Sequence, residues 1–129
     1  MPRTYRELAV WQEAHALSVE VYRVTRSFPQ DERYGLVSQM RRAAVSVEAN
    51  ISEGQGRGTT RDFVNFLFMA RGSARETACY CELAKDLGFI DSAQYQKIEN
   101  RYQGLSAGIF RCIQGLVKKS HFDYKTIQR

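Results

Sequence analysis

Residues 50–63 read NISEGQGRGTTRDF. Gly54, Gly56 and Gly58 alternate around Arg57, and the hydroxyl pair Thr59-Thr60 follows. A stretch of this kind is either a loop that cradles a nucleotide phosphate or the hinge between two helices, and the choice decides the fold class. A P-loop requires G-x-x-x-x-G-K-[ST], whose lysine reaches the outer phosphates. Here the glycine spacing is wrong and no lysine is present. A dinucleotide loop requires G-x-G-x-x-G after a strand. Gly54 and Gly56 fit its first half, but the third glycine is misplaced and the preceding segment has helical periodicity. The hinge reading accounts for more. One of the three glycines can take the left-handed conformation that ends a helix. Thr59 can cap the next helix, with Asp62 placing negative charge in its first turn. A helix N-terminus flanked by Arg57 and Arg61 also suits an anion without any catalysis.

Helical patterns extend on both sides of this hinge. Upstream, Leu8, Trp11, Ala14, Leu17, Val21, Val24 and Phe28 recur at three- and four-residue steps, an amphipathic face that should stop near Phe28 because of Pro29. A second helix is expected from Asp31 or Glu32, with Leu36, Met40, Ala43, Ala44, Val47 and Ile51 inward and Gly35 within its first turns. Downstream, Phe63, Leu67, Ala70, Ala74, Thr77, Cys81 and Ala84 form the seam of a third helix from about Thr60 to Leu87-Gly88. Gly72 is expected to mark a close helix contact there. A fourth helix follows Asp91 or Ser92, with Gln94 completing a capping box. It carries Tyr95, Ile98, Tyr102, Leu105, Ile109, Cys112 and Leu116 on its face, and Gly104, Gly108 and Gly115 at expected close contacts. Four helices of about 20 residues, each roughly 30 Å long, predict an all-α, antiparallel up-down-up-down four-helix bundle. The 129 residues suit one domain, with a core over about 5–117 and a basic tail, 118–129, that frays.

The chain carries a net charge of +5, and Arg outnumbers Lys fourteen to five. The charge is uneven: −1 over residues 1–32, +4 over 33–75, −3 over 76–99 and +5 over 100–129. Guanidinium is suited to phosphate by its planar fork of donors. Arg41 and Arg42 stand about 100° apart on the second helix, and Arg71 and Arg75 share a face of the third. The plainer alternative is that these arginines form a solvated face or pair with Glu48, Glu53, Asp62 and Glu76.

Enzymatic and metal chemistry find little support. His15 and His121 are far apart, and His15 reads as a surface or interface residue. Cys79 and Cys81 are two residues apart, so on a helix they point in different directions and cannot chelate one metal. Cys81 and Cys112 fit the core pattern. Asn50, Ser52 and Glu53 give no nucleophile with a base, and Asn50 and Glu53 are better placed to pin the end of the second helix or a subunit contact. No cofactor is expected. Three cysteines and an opening MPRTYRELAVWQ without an apolar core lead us to expect a reducing, cytoplasmic setting, and no stretch is apolar enough for a membrane span.

The motifs Phe28-Pro29, Glu32-Arg33-Tyr34-Gly35-Leu36, Gln39 to Ser46, Ala49 to Gly54 and Gly56-Arg57, with Phe63, Phe66-Leu67 and Gly72-Ser73, closely resemble one bacterial family. It is the four-helix-bundle family named for proteins encoded in intervening sequences of 23S ribosomal RNA genes. Leu8 to Trp11 and Leu87 to Ile90 also fit, so the resemblance covers residues 5 to about 117. It implies a ring-shaped homopentamer. Members include Avd, the accessory variability determinant of diversity-generating retroelements, a basic pentamer that binds nucleic acid and works with a reverse transcriptase. Where the family often has Pro after the apolar residue before Ala-Asn, this chain has Glu48, which removes a kink and adds an acid. The resulting expectation is a non-enzymatic accessory protein that binds RNA or DNA phosphates. Arg41, Arg42, Arg57 and Arg61 are the first candidates, with Arg71, Arg75, Lys118 and Lys119 behind them. The alternative is an oligomeric scaffold or protein-interaction module whose arginines serve subunit contacts.

Overall fold

A computed structural model describes residues 4–120. Four α-helices run through Ala9–Thr25 (α1), Leu36–Gln55 (α2), Thr60–Asp86 (α3) and Ser92–Ser120 (α4), and no strand occurs among the described residues. Single 3-10 turns at Tyr5–Glu7 and Gln30–Glu32 precede α1 and α2. Consecutive helices pack on one another and α4 returns to α1. On α1, His15 meets Glu48 while the later Tyr22 meets Arg41, so α1 and α2 run antiparallel. On α3, Arg71 lies over Phe110 while Lys85 lies over Tyr95, so α3 and α4 do too. The result is a four-helix bundle, as the periodicity predicts. Its helices are unequal, however: at 1.5 Å per residue α1 spans about 26 Å and α4 about 44 Å.

The expected apolar faces form the core. Leu17, Val21, Met40, Val47, Ile51, Leu67, Cys81 and Ile109 are inaccessible to solvent. The seams of α3 and α4 are rotated slightly from expectation, since Val64 and Ile113 are fully buried while Phe63 and Cys112 lie half-exposed. Burial pushes the Cys81 thiol up to about 12 and raises Cys112 as well. The buried Thr25 and Thr77 hydroxyls donate to Val21 O and Ser73 O of their own helices, at 2.7 and 2.8 Å. Between α2 and α3 the Ser46 and Ser73 hydroxyls meet at 2.9 Å, and Asn50 Nδ2 donates to Ser46 O at 2.8 Å.

The ends of α3 and α4 match the sequence reading. Thr59 Oγ1 accepts from Asp62 N at 3.1 Å. Asp91 Oδ1 accepts from Gln94 N at 2.7 Å, and Gln94 Oε1 accepts from Asp91 N at 3.3 Å, a reciprocal capping box. Gly88, at φ 82°, closes α3, with its N–H on Lys85 O and that of Phe89 on Ala84 O, both at 2.9 Å.

Four expectations are corrected. α2 begins at Leu36, not at Asp31 or Glu32, because residues 30–32 form a separate turn and Gly35 takes a non-helical φ of −109° and ψ of −108°. Glu32 still serves the helix, its Oε1 accepting from Leu36 N at 3.3 Å. None of Gly54, Gly56 or Gly58 is left-handed; α2 runs on to Gln55. Gly54 is instead a point of close approach, where an added Cβ would lie 2.6 Å from Phe66 Cβ. Gly72, Gly104 and Gly115 face open space within the chain, and on α4 only Gly108 marks a contact, where an added Cβ would lie 3.3 Å from Val10 Cγ1. Finally, α4 stays helical through Lys118 and Lys119 to Ser120; the remainder of the basic tail, with His121, lies outside the described residues.

Candidate nucleic-acid interface

The chain reversal between α1 and α2 builds a strongly cationic hollow. α1 ends at Thr25, and Phe28 N bonds back to Thr25 O at 3.2 Å. Pro29 then turns the chain, so Arg26 on one limb and Arg33 on the other line one cleft of about 540 Å³ together with Tyr22, Gln30 and Arg41. A second hollow of about 520 Å³ adjoins it, sharing Tyr22, Arg33, Val37 and Arg41 and adding Tyr34 and Arg42. Among the described residues, no carboxylate lines either hollow.

Arg41 is fixed from below. Its Nε donates to Thr25 Oγ1 at 3.0 Å, its Nη2 donates to Tyr22 O at 3.4 Å, and its guanidinium lies 4.4 Å over the Tyr22 ring. Because the Thr25 hydroxyl is spent on Val21 O, its lone pair is free to accept from Arg41. Arg42, one position on, is exposed, as are Arg26 and Arg33. None of these three has an ionic partner among the described residues. Of the acids nearby, Glu20 pairs with Arg23 and Glu32 accepts from Leu36 N, while Asp31, in the turn between Gln30 and Arg33, is exposed and does not line the cleft. Tyr34 beside them is 90% exposed.

The other candidate arginines lie apart from this cleft. Arg57 and Arg61 flank the opposite end of α2; Gln55, its last residue, is about 21 Å along the axis from Arg41. Arg57 pairs with Glu53 at 3.3 Å and lies 4.9 Å over Phe66, while Arg61 is exposed and has a contact of its own. Arg71 and Arg75 share one face of α3, as the spacing predicts, and line a hollow of about 460 Å³ between α3 and α4. Arg42 does not line that hollow. The Arg71 guanidinium lies 4.6 Å over Phe110, and its Nε is buried with no hydrogen-bond partner. Lys118 and Lys119 are exposed on the last turn of α4.

Sequence reasoning thus named Arg41 and Arg42 but missed Arg26 and Arg33. Their signal was present: Arg26 stands four residues after Tyr22, and both arginines flank Pro29. Of the imagined catalytic group, Glu53 holds Arg57 and Asn50 binds back one turn to Ser46, so each has a structural task. His15 Nδ1 meets Glu48 Oε2 at 2.8 Å and stacks on Trp11, so the unusual Glu48 ties α2 to α1. Among the described residues no group of three or more His, Cys, Asp or Glu side chains gathers to hold a metal, and no helix is long and apolar enough to cross a membrane.

The family described as 23S rRNA-intervening sequence protein matches residues 6–111. A solved structure of a protein of unknown function from the S23 ribosomal protein family of Bacteroides thetaiotaomicron matches with a TM-score of 0.76 at 24% identity. The match covers 81% of this chain and 98% of that one. At that identity the likeness shows the fold alone. No curated protein matches the chain.

Proposed function

The chain belongs to the 23S rRNA-intervening sequence protein family, and from that premise we propose that it is a non-enzymatic accessory that binds RNA or DNA. It acts as a ring-shaped homopentamer in the cytoplasm and presents nucleic acid to another machine, a reverse transcriptase or an rRNA-linked process. One observation carries the reading: Arg26, Arg33, Arg41 and Arg42 line adjoining hollows with no carboxylate among their described lining residues. Unneutralised guanidinium in concave surface attracts phosphate, and the exposed Tyr34 beside it offers a ring for a base. Arg57, Arg61, Arg71, Arg75, Lys118 and Lys119 extend the charge to other faces. Repetition of these sites around a ring would add weak contacts by multivalency. Such binding is to phosphates, falls steeply with salt and is nearly indifferent to sequence.

A second reading, the oligomeric scaffold, is favoured by exposed Val19, Tyr22, Tyr34 and Val45 on α1, α2 and the turn between them. A subunit or partner protein seated there would cover them.

Anisotropy of labelled structured RNA and single-stranded DNA, titrated at several salt concentrations, tests the proposal. The comparison is with Arg41→Ala/Arg57→Ala/Arg61→Ala after sedimentation has fixed the oligomer. Steep salt dependence, lessened in the variant, is expected. Absence of binding at low salt, with the pentamer lost on Arg42→Ala, would instead establish the scaffold.

A further inference from the structure

The cleft at the α1–α2 reversal has a shape and charge that a uniform phosphate-binding surface does not need. It is concave, about 540 Å³, and three guanidinium groups line it, those of Arg26, Arg33 and Arg41. A cavity of this size exceeds a single phosphate and falls in the range of small-molecule sites. Arg41 is already immobilised by Thr25 Oγ1 and Tyr22 O, so little side-chain freedom remains for a ligand to remove. Its remaining donors, with those of Arg26 and Arg33, belong to one hollow whose lining also includes Tyr22, Pro29 and the Gln30 amide.

We propose that this cleft is a seat for a phosphate monoester: the terminal phosphate of a nucleic-acid strand, or that of a free mononucleotide, with the attached nucleoside against Tyr22 and Pro29. The ligand class follows from charge. An internal phosphodiester carries one negative charge and two unbridged oxygens. A monoester carries nearly two charges near neutral pH and three acceptor oxygens. Three forked cations in a cleft with no carboxylate among its described lining match the second better than the first. The solvent-facing Arg42, Arg57 and Arg61 suit internal phosphates of the same strand. The strand-end form of the proposal rests on the nucleic-acid reading above; the mononucleotide form does not.

The test uses the full chain and one single-stranded oligonucleotide in three forms, with 5′-phosphate, with 3′-phosphate and with hydroxyl at both ends. AMP and adenosine are measured in parallel by calorimetry. A terminally phosphorylated strand should bind on the order of tenfold more tightly than the hydroxyl form. That preference should vanish in Arg26→Ala/Arg33→Ala, whose positions are exposed and leave the core untouched. Arg57→Ala/Arg61→Ala should weaken all three strands alike and keep the preference. If all three bind equally, the cleft proposal is overturned while the nucleic-acid reading stands. If no strand binds but AMP does, adenosine does not, and the Arg26/Arg33 variant loses AMP, the cleft is a mononucleotide site and the nucleic-acid reading fails. If neither AMP nor any strand binds, the cleft is not a phosphate site.

Discussion

Replacing Gly54 by alanine puts two opposed effects on one methyl group. Within a helix, Ala is favoured over Gly by up to about 1 kcal/mol. At Gly54 the new Cβ would stand 2.6 Å from Phe66 Cβ and 3.0 Å from Phe63 Cδ1. Non-bonded carbons rest about 3.5–4.0 Å apart, so the shortfall is about 1 Å. Phe66 Cβ is bonded directly to the backbone, so it cannot swing aside; α3 itself must move away from α2. Overpacking of this kind costs about 1–3 kcal/mol. A shortfall of about 1 Å against a carbon that cannot yield puts the cost in the upper part of that range, about 2–3 kcal/mol, so net of the propensity gain Gly54→Ala should destabilise by about 1–2 kcal/mol, a fall of about 4–8 °C in Tm. Gly104→Ala is the control, because nothing within 4 Å would meet its methyl. It should gain up to about 1 kcal/mol. Urea denaturation followed by circular dichroism, at one protein concentration, reads both. If Gly54→Ala proves as stable as the parent or Gly104→Ala, the close approach of α2 and α3 is not a constraint and the reasoning fails.

Asp91→Ala removes the acceptor of the α4 capping box and should cost about 1 kcal/mol. A double-mutant cycle with Gln94→Ala should then show the two losses to be non-additive, and full additivity would deny the reciprocal bonds. The pair between Arg101 and Glu13 at 2.8 Å is partly exposed, with 41% and 37% of the side chains accessible, so Arg101→Ala should cost less than about 1 kcal/mol, less still in high salt. A loss well above that would mean that the contact between α1 and α4 depends on it. Thiol labelling near pH 8 should modify the exposed Cys79 promptly and Cys81 only on unfolding. The Cys81 thiol, pushed up to about 12, is protonated there, and its thiolate would grow only as pH rises toward that value. Equal labelling of both in the native protein would contradict the packing of α3.

The helices were legible wherever a local rule and the apolar period agreed. Thr59 with Asp62, Asp91 with Gln94, and Gly88 each act within a few residues, and each stands where the pattern put it. The start of α2 was not legible, because acids at Asp31 and Glu32 suit a helix N-terminus equally whether the helix begins there or at Leu36. What decides it is the non-helical Gly35. Glycine roles failed for a related reason: periodicity shows that a residue is small, but only the packed partner shows whether smallness is used. Gly54 has Phe66 and Gly104 has nothing. The arginines show the same limit at the site. Arg71 and Arg75 were correctly placed together by helix spacing, whereas Arg26 and Arg33 meet only because the chain folds back at Pro29.

The Ser46–Ser73 contact has a consequence for the uniqueness of the bundle. α2 and α3 bury Ala43, Ala44, Ala70 and Ala74, small side chains that make smooth faces. Two such faces keep much of their apolar contact if one helix slides past the other by a turn of about 5.4 Å. The hydroxyl pair does not tolerate that displacement. Sliding would part Ser46 from Ser73; Ser46 Oγ would keep the bond it accepts from Asn50 Nδ2 at 3.1 Å, while the half-buried Ser73 hydroxyl would lose this partner, at about 1–3 kcal/mol if it is shut away from water. The hairpin therefore carries a latch that discriminates against its own slipped registers, where dispersion alone would rank them closely.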